Sequence, residues 1–236
     1  MKRKLFLLVL LVLIVFTASG CKKDEMSDAV KFKNEYESLN DVDTSYGGKY
    51  RSVNISDDNL FVYSNPTEII NMIENNETFY VYFGSSYCPW CRSVISMASN
   101  IAAKKKIDKI YYVDIWDGNH VEILRDSYKV DENGELVLVS EGTPEYKKLL
   151  AYFDNVLKEY TINTKDGKTI SVGEKRIYAP NFIYVENGNT IRLETGMSDL
   201  QKGANDELTD EILKDEETRF NNFFKGVQAC DIDEGC

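Results

Sequence analysis

The chain has 236 residues, of which 43% are hydrophobic and 28% are charged, so it is long enough to bury a core and too apolar to stay disordered. Its formal net charge is -11, and removal of the three cations near its start would leave about -14 on the mature chain. Such a surface repels phosphate, which argues against nucleic acid as a partner and against adhesion of a folded domain to anionic lipid headgroups.

The first 20 residues have the pattern of a signal peptide. Lys2, Arg3 and Lys4 precede an unbroken apolar run over residues 5–16, and small or polar residues follow it. In a helix this run spans about 18 Å, well short of the roughly 30 Å hydrocarbon core of a bilayer. The pattern therefore predicts a signal peptide over residues 1–20 and export of the chain, rather than a permanent transmembrane helix.

The tetrad Ala18-Ser19-Gly20-Cys21 resembles a bacterial lipobox. The resemblance implies that Cys21 is acylated and becomes the new N-terminus, so that the chain is lipid-anchored on the extracytoplasmic face of the cell membrane. The alternative is ordinary secretion with a free Cys21. We expect residues 21–57 to form a tether and an N-terminal extension, with a short helix at 27–39 and a possible strand at 50–55.

The chain then alternates strand and helix patterns, as is typical of an α/β fold. Strands are predicted at 60–63, 79–83 and 110–115, and helices begin near Pro66 and Pro89. This order implies right-handed crossovers and a parallel core sheet. Strands at 182–185 and 190–194 flank Asn187-Gly188, which favours a hairpin, and a final helix at 207–227 has an aromatic face that can cover the sheet.

The 88 residues between Cys91 and Pro180 exceed the about 45 that a helix, a strand and one further helix need. An insertion is therefore predicted over about residues 118–175. Its candidate elements are a small element at 135–139, a long helix at 144–160 and a hairpin at 160–172 that turns on Asp166-Gly167. We expect them to shape a partner-binding rim near the active site.

Cys88 and Cys91 form a C-x-x-C motif that follows a predicted buried strand and opens a predicted helix. Cys88 falls at the helix cap, where unpaired N–H groups and the positive end of the helix dipole stabilise a thiolate and lower its pKa. Cys91 lies one turn along the same face. Pro89 suits the first turn because it has no N–H to leave unpaired, and the uncharged Trp90 argues against an extreme oxidant. The motif predicts thiol-disulfide exchange, in which Cys88 attacks and Cys91 resolves the mixed disulfide.

Two segments resemble the thioredoxin superfamily: residues 79–91, which carry the Cys88-Pro89-Trp90-Cys91 motif, and residues 179–188, which begin with Ala179-Pro180. The resemblance covers about residues 58 to 228. It implies a thioredoxin fold, with a central mixed sheet flanked by helices, over a domain at 58–229 whose insertion lies between the third core strand and the cis-proline strand. Within the superfamily the chain looks most like extracytoplasmic thioredoxin-domain lipoproteins, some of them called bacteriocin transport accessory proteins.

The resemblance also implies a substrate-binding surface. By it, Pro180 is cis and packs beside the active-site sulfurs, and the backbone of Ala179 pairs with the substrate strand. Tyr87, Pro89 and Trp90 complete this surface. The partners that it implies are extracytoplasmic proteins with thiols or disulfides and a membrane redox partner, with no cofactor and no metal.

Tyr82 departs from the family pattern, since thioredoxin has a buried Asp at that place, and a carboxylate proton relay therefore cannot be assumed. Oxidation, reduction and isomerisation of substrate disulfides all stay open. The alternative function is a non-catalytic accessory or binding module of an export system, which keeps the fold to grip extended peptides.

Cys230 and Cys236 lie in an acidic tail, residues 230–236, and a local structural disulfide is the main expectation for them. The alternatives are a relay that passes electrons to or from Cys88 and Cys91, or free thiols. The Cys88–Cys91 pair could itself be a permanent disulfide, or half of a zinc site that the two tail cysteines complete.

Four other polar residues are candidates of lower weight. His120 is the only histidine and is assigned no role. Asp114 and Asp117 could form an acid–base couple, but solvated or capping carboxylates are expected at a strand end. Arg92 could favour the thiolate electrostatically, although a solvated arginine on the helix surface is the stronger expectation.

Overall fold

The computed structural model describes residues 26–45, 47–117, 121–164 and 166–225. In chain order the elements are α1 (Asp28–Glu37), β1 (Phe61–Tyr63), α2 (Pro66–Glu74), β2 (Phe79–Gly84), α3 (Pro89–Lys104), β3 (Ile110–Asp114), β4 (Ser127–Val130), β5 (Leu136–Ser140), α4 (Pro144–Tyr152), β6 (Lys158–Asn163), β7 (Thr169–Arg176), β8 (Asn181–Glu186), β9 (Asn189–Glu194) and α5 (Asp210–Phe223). The predictions of a signal peptide at 1–20 and of the roles of Cys21, His120, Cys230 and Cys236 concern residues outside the described ranges. Within those residues, every helix is too short or too polar to span a bilayer.

A mixed five-stranded sheet has the strand order β1-β3-β2-β8-β9. β1 and β2 both pair with β3 in parallel, whereas β8 runs antiparallel to β2 and β9 antiparallel to β8. Every residue of β2 is buried, because helices cover both faces of the central strands. The protein is therefore mixed α/β, with a mixed sheet flanked by helices, as the sequence predicted.

Side chains divide the core into two layers on opposite faces of the sheet. One face packs against α1, α3 and α5, and β2 contributes Tyr80 and Tyr82 to it. The other face packs against α2 and α4, and β2 contributes Val81 and Phe83. Alternate residues of a strand point to opposite faces, so a single strand supplies both layers.

The first helix belongs to this core. Phe32 and Tyr36 of α1 are fully buried, and the Phe32 ring stacks on Phe61 of β1 with the ring centroids 4.1 Å apart. Residues of α1 therefore share one hydrophobic cluster with the residues that follow position 58, although the sequence suggested an extension ahead of the domain.

The strand predicted at 50–55 is wrong, because this segment is irregular. Its backbone groups at Val53 and Ile55 bond to side chains instead of to a neighbouring strand: the amide side chain of Asn40 bonds both the N–H and the C=O of Val53, and Glu37 accepts from the N–H of Ile55. Polar side chains at the end of α1 and just after it thus take the place of strand pairing here.

The segment between β3 and β8 contains the predicted insertion elements, with one correction. The small element near 135–139 is β5, which pairs with β4, and the predicted hairpin turning at Gly167 is the β6–β7 pair. The helix predicted at 144–160 ends at Tyr152, because β6 begins at Lys158 and its residues pair with β7. The final helix is likewise shorter than predicted. It begins at Asp210, after the N-cap residue Thr209, whose side chain accepts from the N–H of Ile212.

Candidate functional site

Cys88 and Cys91 lie at the start of α3, directly after the buried strand β2 and a three-residue loop. Cys88 is the N-cap residue, with extended backbone angles, and Pro89 occupies the first helical position. Both cysteines are free thiols in this structure. Cys88 is 6% exposed and Cys91 is 0% exposed, so both are buried and Cys88 is the more accessible of the two residues.

The surroundings of Cys88 favour its thiolate. The pKa of Cys88 is lowered, first by the hydrogen bond from the Cys91 thiol, then by the backbone N–H groups of Cys91 and Trp90, and by the charge of Arg125; burial opposes these effects. Burial raises the pKa of Cys91 well above its usual range. The pair is thus divided into a low-pKa thiol near the surface and a protonated thiol beneath it.

The segment with Ala179 and Pro180 lies beside Cys88. The peptide bond between these two residues is cis, as the family resemblance implied. The Cys88 sulfur donates to the backbone oxygen of Ala179 at 3.6 Å, and β8 begins directly after Pro180 at Asn181, which is paired with Phe83 of β2. Sheet pairing therefore brings together two segments that are 91 residues apart in the chain.

Tyr87, Pro89 and Trp90 are the chain neighbours of the two cysteines. All three are partly buried, and Trp90 packs on the core layer that contains both cysteines. The Tyr87 ring packs edge-on against Tyr50, with the centroids 6.2 Å apart. The structure thus keeps these three predicted residues next to Cys88, with part of each side chain exposed.

Arg92 is not on the solvated surface, contrary to the main expectation for it. Its side chain is 1% exposed, and its guanidinium donates to the backbone oxygens of Tyr36, Arg51 and Ser86 at 2.7–3.1 Å. A further hydrogen bond of 2.7 Å runs to the side chain of Asn40. Arg92 therefore ties the end of α1 and the irregular segment near residue 51 to the loop that precedes Cys88.

Arg125 is a site residue that the sequence did not reveal. It pairs with Glu122 through two guanidinium nitrogens, and a third donates to the backbone oxygen of Ile177 at 3.1 Å, shortly before the cis-proline bond. Its charge helps to lower the pKa of Cys88. A lone arginine in a segment without a periodic pattern gave no signal of this role.

The hydrogen bonds that the structure shows for Asp114 and Asp117 run to backbone N–H groups. Asp114 accepts from the N–H of Trp116 at 3.1 Å, whereas Asp117 accepts from the N–H of Val121 at 2.9 Å, so the expected capping roles are confirmed. Burial raises the pKa of Asp114 to about 7, although hydrogen bonds from Trp116 and Ser85 oppose this shift. Asp114 is therefore a partly buried acid near the loop that precedes Cys88.

Within the described ranges, no group of three or more His, Cys, Asp and Glu residues is arranged to hold a metal ion. The zinc alternative depends on Cys230 and Cys236, which lie outside those ranges.

The chain matches no protein-family model, and a search of curated proteins found no match. The fold and the site together define a mixed α/β protein with a buried dithiol at a helix N-terminus.

Proposed function

We propose that the protein is a membrane-anchored, extracytoplasmic thiol-disulfide oxidoreductase that acts through Cys88 and Cys91. The observation that carries the proposal is the position of Cys88: a thiol with a lowered pKa at the N-cap of α3, hydrogen-bonded to Cys91 and next to the backbone oxygen that precedes a cis proline. A structural cysteine needs none of these features.

The fold that we propose is that of thioredoxin. Its support is the strand order β1-β3-β2-β8-β9, in which three parallel strands are followed by an antiparallel hairpin, and helices lie on both faces. The C-x-x-C motif lies between β2 and α3, and Pro180 precedes β8. The two hairpins and α4 would then be an insertion between the third core strand and the cis-proline strand.

The chemistry follows from the different exposure of the two sulfurs. The Cys88 thiolate attacks a substrate disulfide, forms a mixed disulfide and releases one substrate sulfur as a thiolate. Cys91 then attacks the Cys88 sulfur and releases the other substrate sulfur. Each step is reversible, so the same geometry oxidises substrate dithiols when the pair starts as a disulfide.

The proposed substrates are proteins with thiols or disulfides. The backbone of Ala179 would pair with an extended substrate segment, because its oxygen lies beside the Cys88 sulfur and its side chain is partly exposed. Tyr87, Pro89 and Trp90 would contact the substrate on the other side of the sulfur. Repeated turnover needs a partner that returns the pair to its starting redox state, and we propose a membrane redox protein for that role.

The proposed location rests on sequence. Acylation of Cys21 would tether the domain to the outer face of the cell membrane, where disulfide chemistry is favourable. The strongly negative charge keeps the folded domain away from anionic headgroups, so the lipid anchor would provide the attachment.

The test is equilibration of the purified protein in glutathione buffers, followed by acid quenching and alkylation, together with an insulin reduction assay. We expect a measurable midpoint potential for Cys88–Cys91 and turnover that Cys88→Ser abolishes. A Cys230→Ser/Cys236→Ser protein serves as the control for the tail cysteines and should keep the parental rate. A pair that does not exchange with glutathione would contradict the proposal and favour the non-catalytic binding module.

A further inference from the structure

β5 is a strand whose apolar residues are exposed. Residues 136–139, the apolar run, are two leucines and two valines, each between 36% and 58% exposed. Alternate residues of a strand point to opposite faces, so apolar side chains project from both faces of the β4–β5 hairpin. A soluble protein rarely exposes a run of this kind unless another molecule covers it.

β5 is also an edge strand. Within the described ranges it pairs with β4 alone, and β4 in turn contacts β6, where the N–H of Tyr128 bonds the Tyr160 hydroxyl at 3.3 Å. Every second residue of an edge strand directs its N–H and C=O away from the neighbouring strand. The outer edge of β5 therefore has the backbone groups that pair with an arriving extended segment.

The base of the β4–β5 hairpin is tied to the segment that precedes the cis proline. Arg125, two residues before β4, donates to the backbone oxygen of Ile177 at 3.1 Å. Arg176 donates to the backbone oxygen of Asp126. Both arginines are buried, so these contacts fix the place where the hairpin leaves the protein.

This base is the end of β5 that lies toward the dithiol. Ser140, the last residue of β5, pairs with Ser127, the first residue of β4. The backbone oxygen of Ala179, two residues after Ile177, accepts from the Cys88 sulfur at 3.6 Å. A segment bound along β5 is therefore held at one end beside the elements that position Cys88.

The turn at the opposite end of the hairpin is acidic. Glu132 and Glu135 are exposed there. The Asp131 carboxylate accepts from the N–H groups of Asn133 and Glu135 and so closes the turn. A molecule that lies along the apolar run therefore meets a negatively charged surface at this end.

Charge selects among the molecules that could cover the apolar run. At the base Glu141 pairs with Lys147, and Lys129 lies opposite Val137, so the excess of negative charge is at the turn. A second copy carries the same acidic turn and the same net charge of -11, and anionic headgroups are likewise repelled. A partner with an apolar stretch next to lysine or arginine residues is attracted instead.

We propose that the outer edge of β5 binds an extended segment of the protein substrate, with apolar residues along the apolar run and lysine or arginine residues at the acidic turn. This inference rests on the proposed function, because it names the substrate class of the same dithiol. The segment adds to the hairpin as a third strand: backbone hydrogen bonds provide affinity that is independent of sequence, and the apolar run favours apolar side chains. Apolar segments are accessible in chains that have not completed folding, so such chains are the substrates.

The test measures binding of a peptide that contains no cysteine. The probe is a fluorescent synthetic peptide with a central stretch of alternating valine and threonine between lysines, and a second peptide has glutamates in place of the lysines. Fluorescence anisotropy gives the dissociation constant of each peptide with the reduced protein. Because the probes have no sulfur, their binding does not depend on the reactivity of the dithiol. A dithiol that fails to exchange with glutathione therefore contradicts the proposed function, whereas failed binding contradicts this inference.

The first variant removes apolar contacts from β5. Leu136→Ser/Leu138→Ser should weaken binding of the lysine peptide about tenfold or more, because two leucines no longer bury apolar surface on binding. Ile191→Ser/Leu200→Ser is the matched control, since these residues are 45% and 55% exposed and Ile191 lies on β9, the edge strand of the core sheet. Its affinity should stay within about twofold of the parental value.

The second variant reverses the charge of the turn. The parent should bind the lysine peptide more tightly than the glutamate peptide, and added salt should reduce that preference. Glu132→Lys/Glu135→Lys should weaken binding of the lysine peptide about threefold or more and strengthen binding of the glutamate peptide, because exposed ion pairs are lost with one and gained with the other.

Equal affinity of the parent, the β5 serine variant and its matched control for the lysine peptide would overturn the inference. If the β5 serine variant does not fold, the charge-reversed variant decides, and unchanged affinity for both peptides overturns the inference. A parent that sediments as a dimer, and as a monomer once Leu136 and Leu138 are replaced, would make a second copy the occupant. Flotation of a Cys21→Ser protein with vesicles of neutral phosphatidylcholine would make the occupant a lipid surface. Either of these last two results also overturns the inference.

Discussion

Removal of Arg92 should destabilise the protein strongly, because its guanidinium joins three distant segments. Arg92→Ala deletes hydrogen bonds to Tyr36, Arg51, Ser86 and Asn40 and leaves buried acceptors without their donor. A hydrogen bond from a charged donor contributes about 1.5 to 3 kcal/mol. Water that enters the cavity recovers part of this sum, so we expect a loss of about 4 kcal/mol in the free energy of unfolding.

The measurement is urea unfolding of the reduced protein followed by far-ultraviolet circular dichroism. With a slope of about 2 kcal/mol per molar urea, the expected loss lowers the midpoint by about 2 M. Arg92→Lys should have an intermediate midpoint, since an ammonium keeps the charge but cannot reach all the acceptors of the planar guanidinium.

Arg219→Ala is the control, because that side chain is 28% exposed and its ion pairs with Asp199 and Asp215 are at the surface. It should cost less than about 1 kcal/mol. If Arg92→Ala and Arg219→Ala unfold at similar urea concentrations, the role assigned to Arg92 is wrong.

Three further predictions concern the core, a buried acid and the reactive thiol. Phe32→Ala should cost about 3 to 5 kcal/mol in the urea assay, because the ring is fully buried and stacks in the core. Burial raises the pKa of Glu216 from 4.5 to about 7, so between these pH values the folded state binds more protons than the unfolded state. The free energy of unfolding should therefore be greatest at or below pH 4.5 and fall as the pH rises to 7. Glu216→Gln should make that fall smaller. Arg125→Met should raise the pKa of Cys88, which the pH dependence of its alkylation by iodoacetamide measures.

Each of these has its own control. Met26→Ala, at a side chain that is 54% exposed, should leave the urea midpoint unchanged, and a similarly small effect of Phe32→Ala would mean that α1 is not part of the core. The exposed neighbour Glu217→Gln should leave the fall of stability with pH in place, and an unaltered fall in Glu216→Gln would refute the account of that acid. Arg192→Met removes an arginine that bonds the end of α5, and a Cys88 pKa shifted equally by both arginine variants would show a general charge effect.

The core sheet could be predicted because the sequence signals that specify its strands and helices are local and periodic. The strand at β2 is an apolar run, α2 begins at a proline behind an Asn cap, and Asn187-Gly188 forms the turn between β8 and β9. Each of these signals lies within a few residues of the element that it specifies, so the alternation of strands and helices was evident without tertiary information.

The helix predicted at 144–160 and the strand predicted at 50–55 were wrong because tertiary contacts, which a local sequence pattern does not show, decide the structure there. Val156 and Leu157 continue the apolar spacing of α4, but they follow the end of that helix. Leu157 is buried in the core layer that packs against α2 and α4. The apolar residues of the irregular segment near Val53 resembled a strand, but the side chain of Asn40, just after α1, bonds the backbone of Val53 instead.

The two cysteines of the site were evident from their spacing, and their supporting residues were not. A charged residue on an amphipathic helix usually faces solvent, and the carbonyls that bury Arg92 belong to segments 41 and 56 residues away. Tyr36 and Tyr82 are 46 residues apart, and a tyrosine in a core strand is most simply a packing residue. Only the folded arrangement shows that these two hydroxyls meet in the core.

The central claim is that Cys88 exchanges disulfides with other proteins, and trapping tests it most directly. In cells that express the Cys91→Ala variant, the mixed disulfide cannot be resolved from within the pair, so Cys88 should accumulate covalent adducts that a reducing agent dissolves. The Cys88→Ala/Cys91→Ala variant is the control and should form none of these adducts. Identical adducts in both variants, or none in either, would contradict the account.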